Sequence, residues 1–197
     1  PIPSKLYLAC SGGIDSMFAY HFFNAGRKDV CCLFFHHGTK TSDDAEIFLK
    51  KNVQNLIVGR LTRTIEKGES PEKFFRDQRY SFFSKFKDKP IVTCHHLNDC
   101  AETWTMTSLK GTPRLIPYKN GNIIRPFLLV SKKEIEDYCE RKNIEYSQDL
   151  TNFDVNIPRN RIRHNVMNEL LLVNPGFFRM LREKIKESIK KEIYASF

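Results

Sequence analysis

A short polar segment near the N-terminus, Ser11-Gly12-Gly13-Ile14-Asp15-Ser16, combines adjacent glycines with a carboxylate and two hydroxyl groups. It lies between an apolar run typical of a buried strand and a helical pattern. Glycines let the backbone turn tightly and approach a phosphate, and the N–H groups at a helix start bind anions. Asp15 could hold Mg²⁺ against phosphate oxygens, and the serines add donors. No lysine follows the glycines, so the segment does not predict cleavage at a γ-phosphate.

A second polar cluster, which follows a later apolar run, contains His95, His96, Asp99 and Glu102. Asp99 and Glu102 are three residues apart, so on a helix they share one face. Near a helix N-terminus the dipole favours their charges, and the pair could hold a cation, either a metal ion or an ammonium group. Capping carboxylates are the alternative interpretation. For the two histidines, a functional role and packing at a strand end are equally open.

The elements that must position these clusters alternate along the first hundred residues. Unbroken apolar runs are typical of strands covered on both faces, and their alternation with helices predicts an α/β fold, a doubly wound parallel sheet with helices on both faces. The predicted strands are Lys5–Cys10, Val30–Phe35, Leu56–Leu61 and Pro90–Cys94, and the predicted helices are Asp15–Asn24, Asp43–Asn52, Pro71–Phe86 and Asp99–Leu109. Both polar clusters then follow carboxyl ends of strands, the sheet edge where ligands bind in this class of fold.

The second half of the chain predicts a smaller, mainly helical part. Asn120-Gly121 is a strong turn signal, so Asn122–Arg125 is predicted to be an edge strand or part of a hairpin. Ser131 and Glu134 form the pattern of a capping box at the start of a helix. Beyond it we predict a polar loop at 148–158 and helices at Arg159–Leu171 and Phe178–Ile193. We expect a nucleotide-binding core over residues 1–130 and a helical extension over 131–197 that completes the active site.

The length and composition of the chain limit which kinds of protein it can be. The 197 residues suit one domain or one domain with an appendage, and 41% of them are hydrophobic, which is enough for a core. No apolar run reaches the roughly 18–20 residues that cross a bilayer, and no signal peptide is apparent, so we expect a soluble, cytoplasmic protein. The net charge of +9 favours polyanionic partners. The six cysteines include no C-x-x-C pair, which predicts buried free thiols and neither a zinc ribbon nor an iron–sulfur cluster.

The glycine-containing segment resembles the signature of PP-loop (N-type) ATP pyrophosphatases, which release pyrophosphate and leave AMP on a substrate oxygen. The run from His95 to Thr103 resembles tRNA(Ile)-lysidine synthetases, in which a His-His-x-x-Asp-x-Ala-Glu-Thr run follows the fourth strand. Other segments that resemble motifs of that family, in the same order, are His36-His37-Gly38, Glu72–Tyr80, Lys110-Gly111-Thr112, Arg125–Leu128, Asp149–Asn152 and Arg159–Arg163. The resemblance covers about residues 5–175, and the shared order makes it more specific than any one motif.

The chain departs from the family pattern at three places. Asn98 stands where the family usually has an acidic residue, which puts one metal or substrate contact in doubt. His36 replaces the usual Asn before the His-Gly pair. The sequence ends soon after Arg163, whereas family members continue into one or two domains that help to grip the tRNA. We therefore expect a short form without a separate C-terminal tRNA-binding domain.

The resemblance implies an ATP-dependent ligase that forms a carbon–nitrogen bond. Such an enzyme adenylates the C2 oxygen of the wobble cytidine in a CAU-anticodon isoleucine tRNA and releases pyrophosphate. The ε-amino group of free L-lysine then attacks C2 and expels AMP, giving lysidine. The implied cofactors are ATP and Mg²⁺, and the implied partners are that tRNA and lysine, with no membrane. A homodimer that supplies the missing grip on the tRNA is left open.

The chemistry and the resemblance together give individual residues predicted roles. The predicted ATP-binding residues are Ser11, Gly12, Gly13, Asp15, Ser16, His37 and His95. The predicted catalytic residues are Asp15, Arg76, Asp99 and Glu102, and Asp15 and Asp99 are also the predicted metal ligands. The residues predicted to bind substrate or phosphate are Asp149, Asn152, Arg159, Asn160 and Arg163. For Arg76 and Arg79, a solvated helix face is the alternative.

Two other functions remain open. Another PP-loop enzyme that modifies a tRNA base, such as a cytidine thiolase, would also activate the C2 oxygen, but such enzymes usually carry cysteine pairs that this chain lacks. A relative that binds nucleotide or RNA without catalysis is the second alternative. The presence of Asp15, Asp99 and Glu102 argues against it.

Overall fold

A computed structural model describes residues 2–147 and 157–194. These residues form two compact units. The first unit contains residues 2–93 together with 142–147, and the second contains 94–141 together with 157–194. The expectation of a nucleotide-binding core over residues 1–130 and a helical extension over 131–197 that completes the active site stays a prediction.

The first unit is built on four parallel strands. They are β1 (Lys5–Ala9), β2 (Asp29–His36), β3 (Leu56–Arg60) and β4 (Ile91–Val92). Their order is β3-β2-β1-β4, with β1 paired in parallel to both β2 and β4. The strand order reverses at β1, and ligands of doubly wound sheets bind beyond the carboxyl ends of strands at such a point. The predicted doubly wound α/β fold is confirmed.

Three helices follow the first three strands of this unit: α1 (Ile14–Ala25), α2 (Lys40–Asn52) and α3 (Pro71–Phe83). Helix α2 begins three residues before its predicted start, because the Thr39 hydroxyl caps it by accepting from the N–H of Ser42 at 3.3 Å. Helix α3 ends three residues before its predicted end, and the chain after Phe83 continues in a tight turn. Both differences lie at helix ends, where local capping decides the boundary.

The core of the first unit fixes the strand that leads into the predicted phosphate site. Its largest fully buried side chains, all less than 2% exposed, are Leu6, Leu8, Met17, Leu33, Leu49 and Ile91. Burying an aliphatic side chain of this size stabilises a fold by roughly 1.5–3 kcal/mol. Leu6 and Leu8 belong to β1, and Met17 belongs to α1, so the core anchors both elements that flank residues 11–16.

The second unit is mainly helical. Its elements are α4 (Leu97–Ser108), β5 (Lys119–Asn120), β6 (Ile123–Ile124), α5 (Lys132–Arg141), α6 (Pro158–Arg161), a π-helical turn (Ile162–Val166), α7 (Met167–Val173) and α8 (Phe177–Tyr194). Strands β5 and β6 form an antiparallel hairpin, and Gly121 in its turn has a φ of +61°. The hairpin predicted from Asn120-Gly121 is confirmed.

The start of α5 shows the predicted capping box. The N–H of Ser131 donates to Oε2 of Glu134 at 2.7 Å, and the N–H of Glu134 donates to the Ser131 hydroxyl at 3.3 Å. Elsewhere in the unit, α4 and α8 supply most of one hydrophobic cluster, which includes Leu97, Cys100, Ala101, Phe177, Leu181 and Ile185. Within residues 2–147 and 157–194, no helix has the length and apolarity to span a bilayer.

Candidate functional site

The glycine loop, residues 11–16, links β1 to α1 in the first unit. Gly12 has a φ of +83°, and an added Cβ would lie 3.3 Å from Cδ1 of Phe48, so backbone shape and packing both favour glycine. Gly13 is the N-cap of α1 in an extended conformation. Because glycine has no side chain, it offers no capping oxygen to the first N–H groups of the helix, which bind anions at helix N-termini. This geometry fits a phosphate group.

The hydroxyl of Ser16 closes the glycine loop from within. It donates to the carbonyl oxygen of Gly13 at 2.9 Å and accepts from the N–H of Ser11 at 3.2 Å. Ser16 is buried, whereas Ser11 is exposed. Because the Ser16 proton is already used inside the loop, this hydroxyl maintains the shape of the loop. Direct contact of either serine with ATP stays a prediction.

Asp15 lies half-buried in the first turn of α1. A carboxylate is favoured there by the helix dipole. Mg²⁺ is usually held by one or two protein carboxylates and completes its octahedron with substrate phosphates and water. Asp15 therefore fits a magnesium ion that is bound together with a nucleotide. In the described part of the chain, no three or more His, Cys, Asp or Glu side chains gather into a ready metal cage.

His36, at the end of β2, has a structural role. Its Nδ1 accepts from the N–H of Gly38 at 3.0 Å, so the ring proton lies on Nε2, which donates to Oδ1 of Asp43 at 3.0 Å. These bonds tie the turn after β2 to the start of α2. Behind the ring, the buried Glu46 pairs with Nη2 of Arg60 at 2.7 Å.

His37, predicted to bind ATP, has a different environment. Its ring meets the rings of Phe35 and Phe75 edge-on, with centroids 5.2 and 5.0 Å apart. Its Nδ1 is buried and has no hydrogen-bond partner among residues 2–147 and 157–194. Burial lowers the pKa of His37, and the charge of Arg79 lowers it further. The imidazole is therefore neutral at pH 7 and retains unused hydrogen-bonding capacity.

Arg76, predicted to be catalytic, is exposed on α3. Its guanidinium lies over the ring of Tyr80, 5.0 Å from the centroid. Such a cation–π contact contributes about 0.5–1 kcal/mol at an exposed site. The contact accounts for the position of Arg76, and its catalytic role stays a prediction.

In the second unit, His96 is the N-cap of α4. The N–H of Asp99 donates to Nδ1 of His96 at 3.4 Å, and the N–H of His96 donates to Oδ2 of Asp99 at 2.9 Å. One oxygen of Asp99 therefore serves the helix cap, which was the alternative interpretation of this carboxylate. The half-buried His95 directly precedes this cap, and its predicted contact with ATP stays a prediction.

Four charged side chains of the second unit form what we call the carboxylate–arginine cluster: Asp99, Glu102, Arg159 and Arg163. Arg159 donates from Nε to Oε2 of Glu102 at 2.7 Å and from Nη2 to Oδ1 of Asp99 at 3.1 Å. Arg163 donates to Glu102 from Nε to Oε1 at 2.6 Å and from Nη2 to Oε2 at 3.2 Å, and its Nη2 lies 3.9 Å from Oδ1 of Asp99. Charge-assisted bonds of this kind are about twice as strong as neutral ones. The cluster joins two motifs about sixty residues apart.

Glu102 is the centre of the cluster. Its side chain is 1% exposed and both of its oxygens accept from guanidinium groups, while the side chains of Arg159 and Arg163 remain 36% and 35% exposed. Burial raises the pKa of Asp99, but the charges of His96, Arg159 and His95 and the hydrogen bond from the His96 backbone together outweigh it, so the net shift is downward. Both carboxylates are engaged, and the cluster therefore offers a ligand two oriented guanidinium groups, which suit phosphate or carboxylate.

Arg159 and Arg163 of the cluster lie on an irregular helical segment. The sequence predicts one helix over Arg159–Leu171, but the structure has α6, a π-helical turn that contains Arg163, and then α7. Such π turns occur mostly as single turns within helices and are frequent at functional sites. No residue type in this segment signals the π turn, because its apolar spacing is that of an ordinary helix.

The other predicted residues of this region have simpler surroundings. Asn98, the departure from the family pattern, accepts at Oδ1 from the N–H of Lys132 at 2.9 Å and so joins α4 to the start of α5. Asn160 is buried in α6. Each oxygen of Asp99 accepts one hydrogen bond, from His96 or from Arg159, and its predicted role as a metal ligand stays a prediction. Asp149 and Asn152 lie outside the described residues, and their roles stay predictions.

Comparison with known proteins gives sequence relatives and a structural neighbour. The chain is 32% identical over 192 residues to tRNA(Ile)-lysidine synthase of Persephonella marina, an alignment that covers 87% of this chain and 42% of that protein. The synthase of Exiguobacterium sibiricum is 30% identical over 185 residues, covering 87% and 45%. The chain thus spans less than half the length of these relatives. A U34-tRNA thiolase of Methanococcus maripaludis matches with a TM-score of 0.69 at 14% identity, covering 94% of this chain and 72% of that one. That likeness concerns the fold alone.

The resemblance to tRNA(Ile)-lysidine synthetases inferred from sequence motifs is confirmed by these relatives. The family described as PP-loop domain matches residues 2–170, a range that includes the glycine loop and the whole carboxylate–arginine cluster. This match implies the use of ATP, in keeping with the phosphate-sized geometry of the loop. The chain belongs to the PP-loop domain family.

Proposed function

We propose that this protein is a tRNA(Ile)-lysidine synthetase, a ligase that joins lysine to the wobble cytidine of a CAU-anticodon isoleucine tRNA. ATP adenylates the C2 oxygen of the cytidine with release of pyrophosphate, and the lysine ε-amino group then displaces AMP. The observation that carries the proposal is the similarity to proteins of that name, with 32% identity across 87% of the chain for the Persephonella marina synthase.

The glycine loop supplies the part of the reaction that needs ATP. Its helix N–H groups and the φ of Gly12 suit a pyrophosphate group. Asp15 would hold Mg²⁺, which neutralises phosphate charge when it is bound. Loss of a pyrophosphate leaving group requires stabilisation of negative charge more than a protein nucleophile, so backbone donors together with a bound metal ion would suit this step.

The carboxylate–arginine cluster is suited to bind another negatively charged group that takes part in the reaction. Arg159 and Arg163 would bind a phosphate of the substrate or the carboxylate of lysine, for which forked guanidinium donors are well shaped. Glu102 would position them, because its two oxygens are both occupied by their N–H groups. A role for Glu102 as the base that takes the lysine proton would require one of these bonds to open first. The same holds for Asp99, whose oxygens accept from His96 and Arg159, so the choice of the base between the two carboxylates stays a prediction.

The two alternatives are weaker on particular grounds. Thiolation is favoured only by a structural neighbour at 14% identity. The six cysteines of the chain are thiols, and within the described ranges none belongs to a group of three or more potential metal ligands. The presence of Asp15, Asp99 and Glu102 argues against a relative that binds without catalysis. The net charge of +9 suits an RNA partner under each of the three functions.

The test is the formation of AMP and pyrophosphate from ATP and Mg²⁺, with the tRNA and lysine added singly and together. Lysidine synthesis predicts pyrophosphate release that depends on the tRNA, and AMP release that further depends on lysine. Asp15→Ala should abolish both. AMP formation with the tRNA and a sulfur donor, but not with lysine, would favour thiolation. ATP that stays intact under every condition while still binding would favour the non-catalytic relative.

A further inference from the structure

A short segment of the second unit, residues 115–119, leads from the loop after α4 into the β5–β6 hairpin, and we call it the strap. It forms no helix or strand before Lys119, so its backbone groups depend on partners outside regular structure. On one side, the N–H groups of Tyr118 and Lys119 donate to the carboxylate of Glu192 in α8, at 3.3 and 3.0 Å. The side chain of a neighbouring helix therefore holds this side of the strap in place.

Arg125, which follows β6, holds the strap from another side. Its backbone N–H donates to the carbonyl oxygen of Tyr118 at 2.9 Å, and Nη1 of its side chain donates to that of Pro117 at 2.8 Å. Arg125 is only 4% exposed, and its Nε has no hydrogen-bond partner within residues 2–147 and 157–194. Placing a guanidinium in the protein interior costs free energy, and arginine is rarely fully buried. Among the described residues, the strap is what this buried side chain binds.

The strap in turn contacts α4 beside the carboxylate–arginine cluster. The N–H of Ile116 donates to the thiol of Cys100, which is fully buried and directly follows Asp99 in the chain. Apolar side chains of the strap also pack against the hydrophobic cluster that contains Cys100. Burial raises the pKa of this thiol to about 12, and the charge of Arg125 is among the effects that oppose the rise. Arg125 and its strap therefore lie close to the first turns of α4.

This part of α4 carries both carboxylates of the cluster. Asp99 comes one residue before Cys100, and Glu102 comes two residues after it. The two carboxylates meet the guanidinium groups of Arg159 and Arg163 at 3.1 and 2.6 Å, so a small shift of the helix would break these bonds. Displacement of reacting groups by about 1 Å can lower a rate on the order of 100-fold. A residue that fixes this part of α4 therefore affects the chemistry without contacting the substrate.

We propose that Arg125 is a positioning residue: by clamping the strap against α4, it holds Asp99 and Glu102 in the arrangement that the attack of lysine on the adenylated cytidine requires. The inference rests on the proposed function and gives the Arg125–Leu128 segment a role in it. Arg125 acts through the strap and not by contact with the substrate. Its effect falls on the lysine step, because the glycine loop that serves the ATP step belongs to the first unit.

The test compares Arg125→Met with Arg141→Met. Arg141 also donates to a backbone carbonyl of the second unit, that of Asp137 at 3.2 Å, but it does so within its own helix and at the surface. Pyrophosphate release is measured with ATP, Mg²⁺ and tRNA but without lysine, and AMP release is measured over a series of lysine concentrations. We expect Arg125→Met to lower kcat/KM for lysine by about tenfold or more and to change pyrophosphate release by less than about twofold. Arg141→Met should change neither.

Equal losses in both steps would show that Arg125 is merely structural, and they would overturn the inference. Replacement of a buried charge by an apolar side chain of similar size often leaves a fold intact. If Arg125→Met nevertheless fails to fold, Arg125→Lys takes its place. That variant keeps the charge but lacks the planar fork of donors, so it should show the same difference between the two steps to a smaller degree. Wild-type kinetics in Arg125→Lys would then overturn the inference.

Labelling of Cys100 gives a readout that does not depend on lysidine synthesis. Release of the strap removes a bond from this thiol, so iodoacetamide should label Cys100 in native Arg125→Met and leave it unmodified in the wild type and in Arg141→Met, as detected by peptide mass spectrometry. If the wild type makes lysidine and Arg125→Met has normal lysine kinetics, only the inference fails. If the wild type makes no lysidine but Cys100 is labelled in Arg125→Met, the clamp on α4 stands and the proposed function fails. If Cys100 is then also protected in Arg125→Met, both fail.

Discussion

The glycine loop of the first unit and the carboxylate–arginine cluster of the second offer positive charge to a ligand in two different ways. In the loop the charge is the partial charge of helix N–H groups, exposed by the φ of +83° at Gly12 and the bare N-cap Gly13. In the cluster it is the full charge of two guanidinium groups, oriented by the buried Glu102. One site is made of backbone and the other of side chains.

This difference between backbone and side-chain donors determines which substitutions should impair each site. A backbone site depends on steric fit, and it is insensitive to the ionisation of nearby side chains. A side-chain site depends on the presence of every charge in its network, because removing one partner leaves the others buried and uncompensated. Steric substitutions should therefore damage the loop most, and substitutions that conserve shape but remove charge should damage the cluster most.

The largest effect is expected for Gly12→Ala. The left-handed backbone costs a non-glycine residue about 1–3 kcal/mol, and displacement of phosphate donors by as little as 1 Å can lower a rate on the order of 100-fold. Pyrophosphate release measures this effect. Gly68→Ala is the matched control, because Gly68 has a φ of +91° but no atom within 4 Å of an added Cβ. Similar losses in both variants would mean that backbone strain, and not the shape of the loop, is responsible.

A distinct effect, on stability and not on rate, is expected for Glu102→Gln, which preserves shape and removes charge. Breaking a buried ion pair costs about 3–5 kcal/mol of unfolding free energy, and we expect the lower end because both arginines are partly exposed. Urea denaturation measures the loss. Glu134→Gln is the control: Glu134 pairs with Arg182 at 2.7 Å but its side chain is 57% exposed, so about 0–1 kcal/mol is expected. Equal losses of unfolding free energy in the two variants would show that the buried cluster contributes no more to stability than a surface ion pair does.

The pH dependence of stability should reveal Asp99. Its pKa is lowered in the folded protein, so its ionised form stabilises the fold above the unfolded-state pKa of about 3.9, and this contribution is lost as the pH falls through the folded-state pKa. The unfolding free energy of the wild type should therefore exceed that of Asp99→Asn at pH 6, and the gap should narrow towards pH 3. A gap that stays constant or widens as the pH falls would show that Asp99 acts only as an uncharged helix cap.

The smallest effect concerns the reactivity of the Cys100 thiol, which follows Asp99 in the chain. Burial, and then the charge of Asp99, raise the pKa of Cys100 to about 12, so only about one molecule in ten thousand carries the thiolate at pH 8. Iodoacetamide should leave Cys100 unmodified in the native protein and label it in urea, as detected by peptide mass spectrometry. Rapid labelling of Cys100 in the native protein would contradict the packing of α4 and would strengthen a sulfur-transfer function.

The two sites also differ in how far the sequence predicts them. The glycine loop is local: six consecutive residues between a strand and a helix define its geometry, so the residue types suffice. The same is true of the capping box at Ser131 and Glu134 and of the hairpin turn at Asn120-Gly121, each of which depends on neighbours in the chain.

The cluster could not be predicted in the same way. The motif around Glu102 and the motif around Arg159 were recognised separately, but their ion pairs join residues 57 positions apart and depend on tertiary packing. The π turn that holds Arg163 leaves no mark in the apolar periodicity.

The central claim is tested most directly by nucleoside mass spectrometry. The protein is incubated with a CAU-anticodon isoleucine tRNA, Mg²⁺, ATP and isotopically labelled lysine, and the tRNA is then digested to nucleosides. The account predicts a cytidine-plus-lysine nucleoside that carries the label and is absent with Asp15→Ala. A tRNA that returns unmodified from an incubation in which the protein has bound both ATP and tRNA would contradict it.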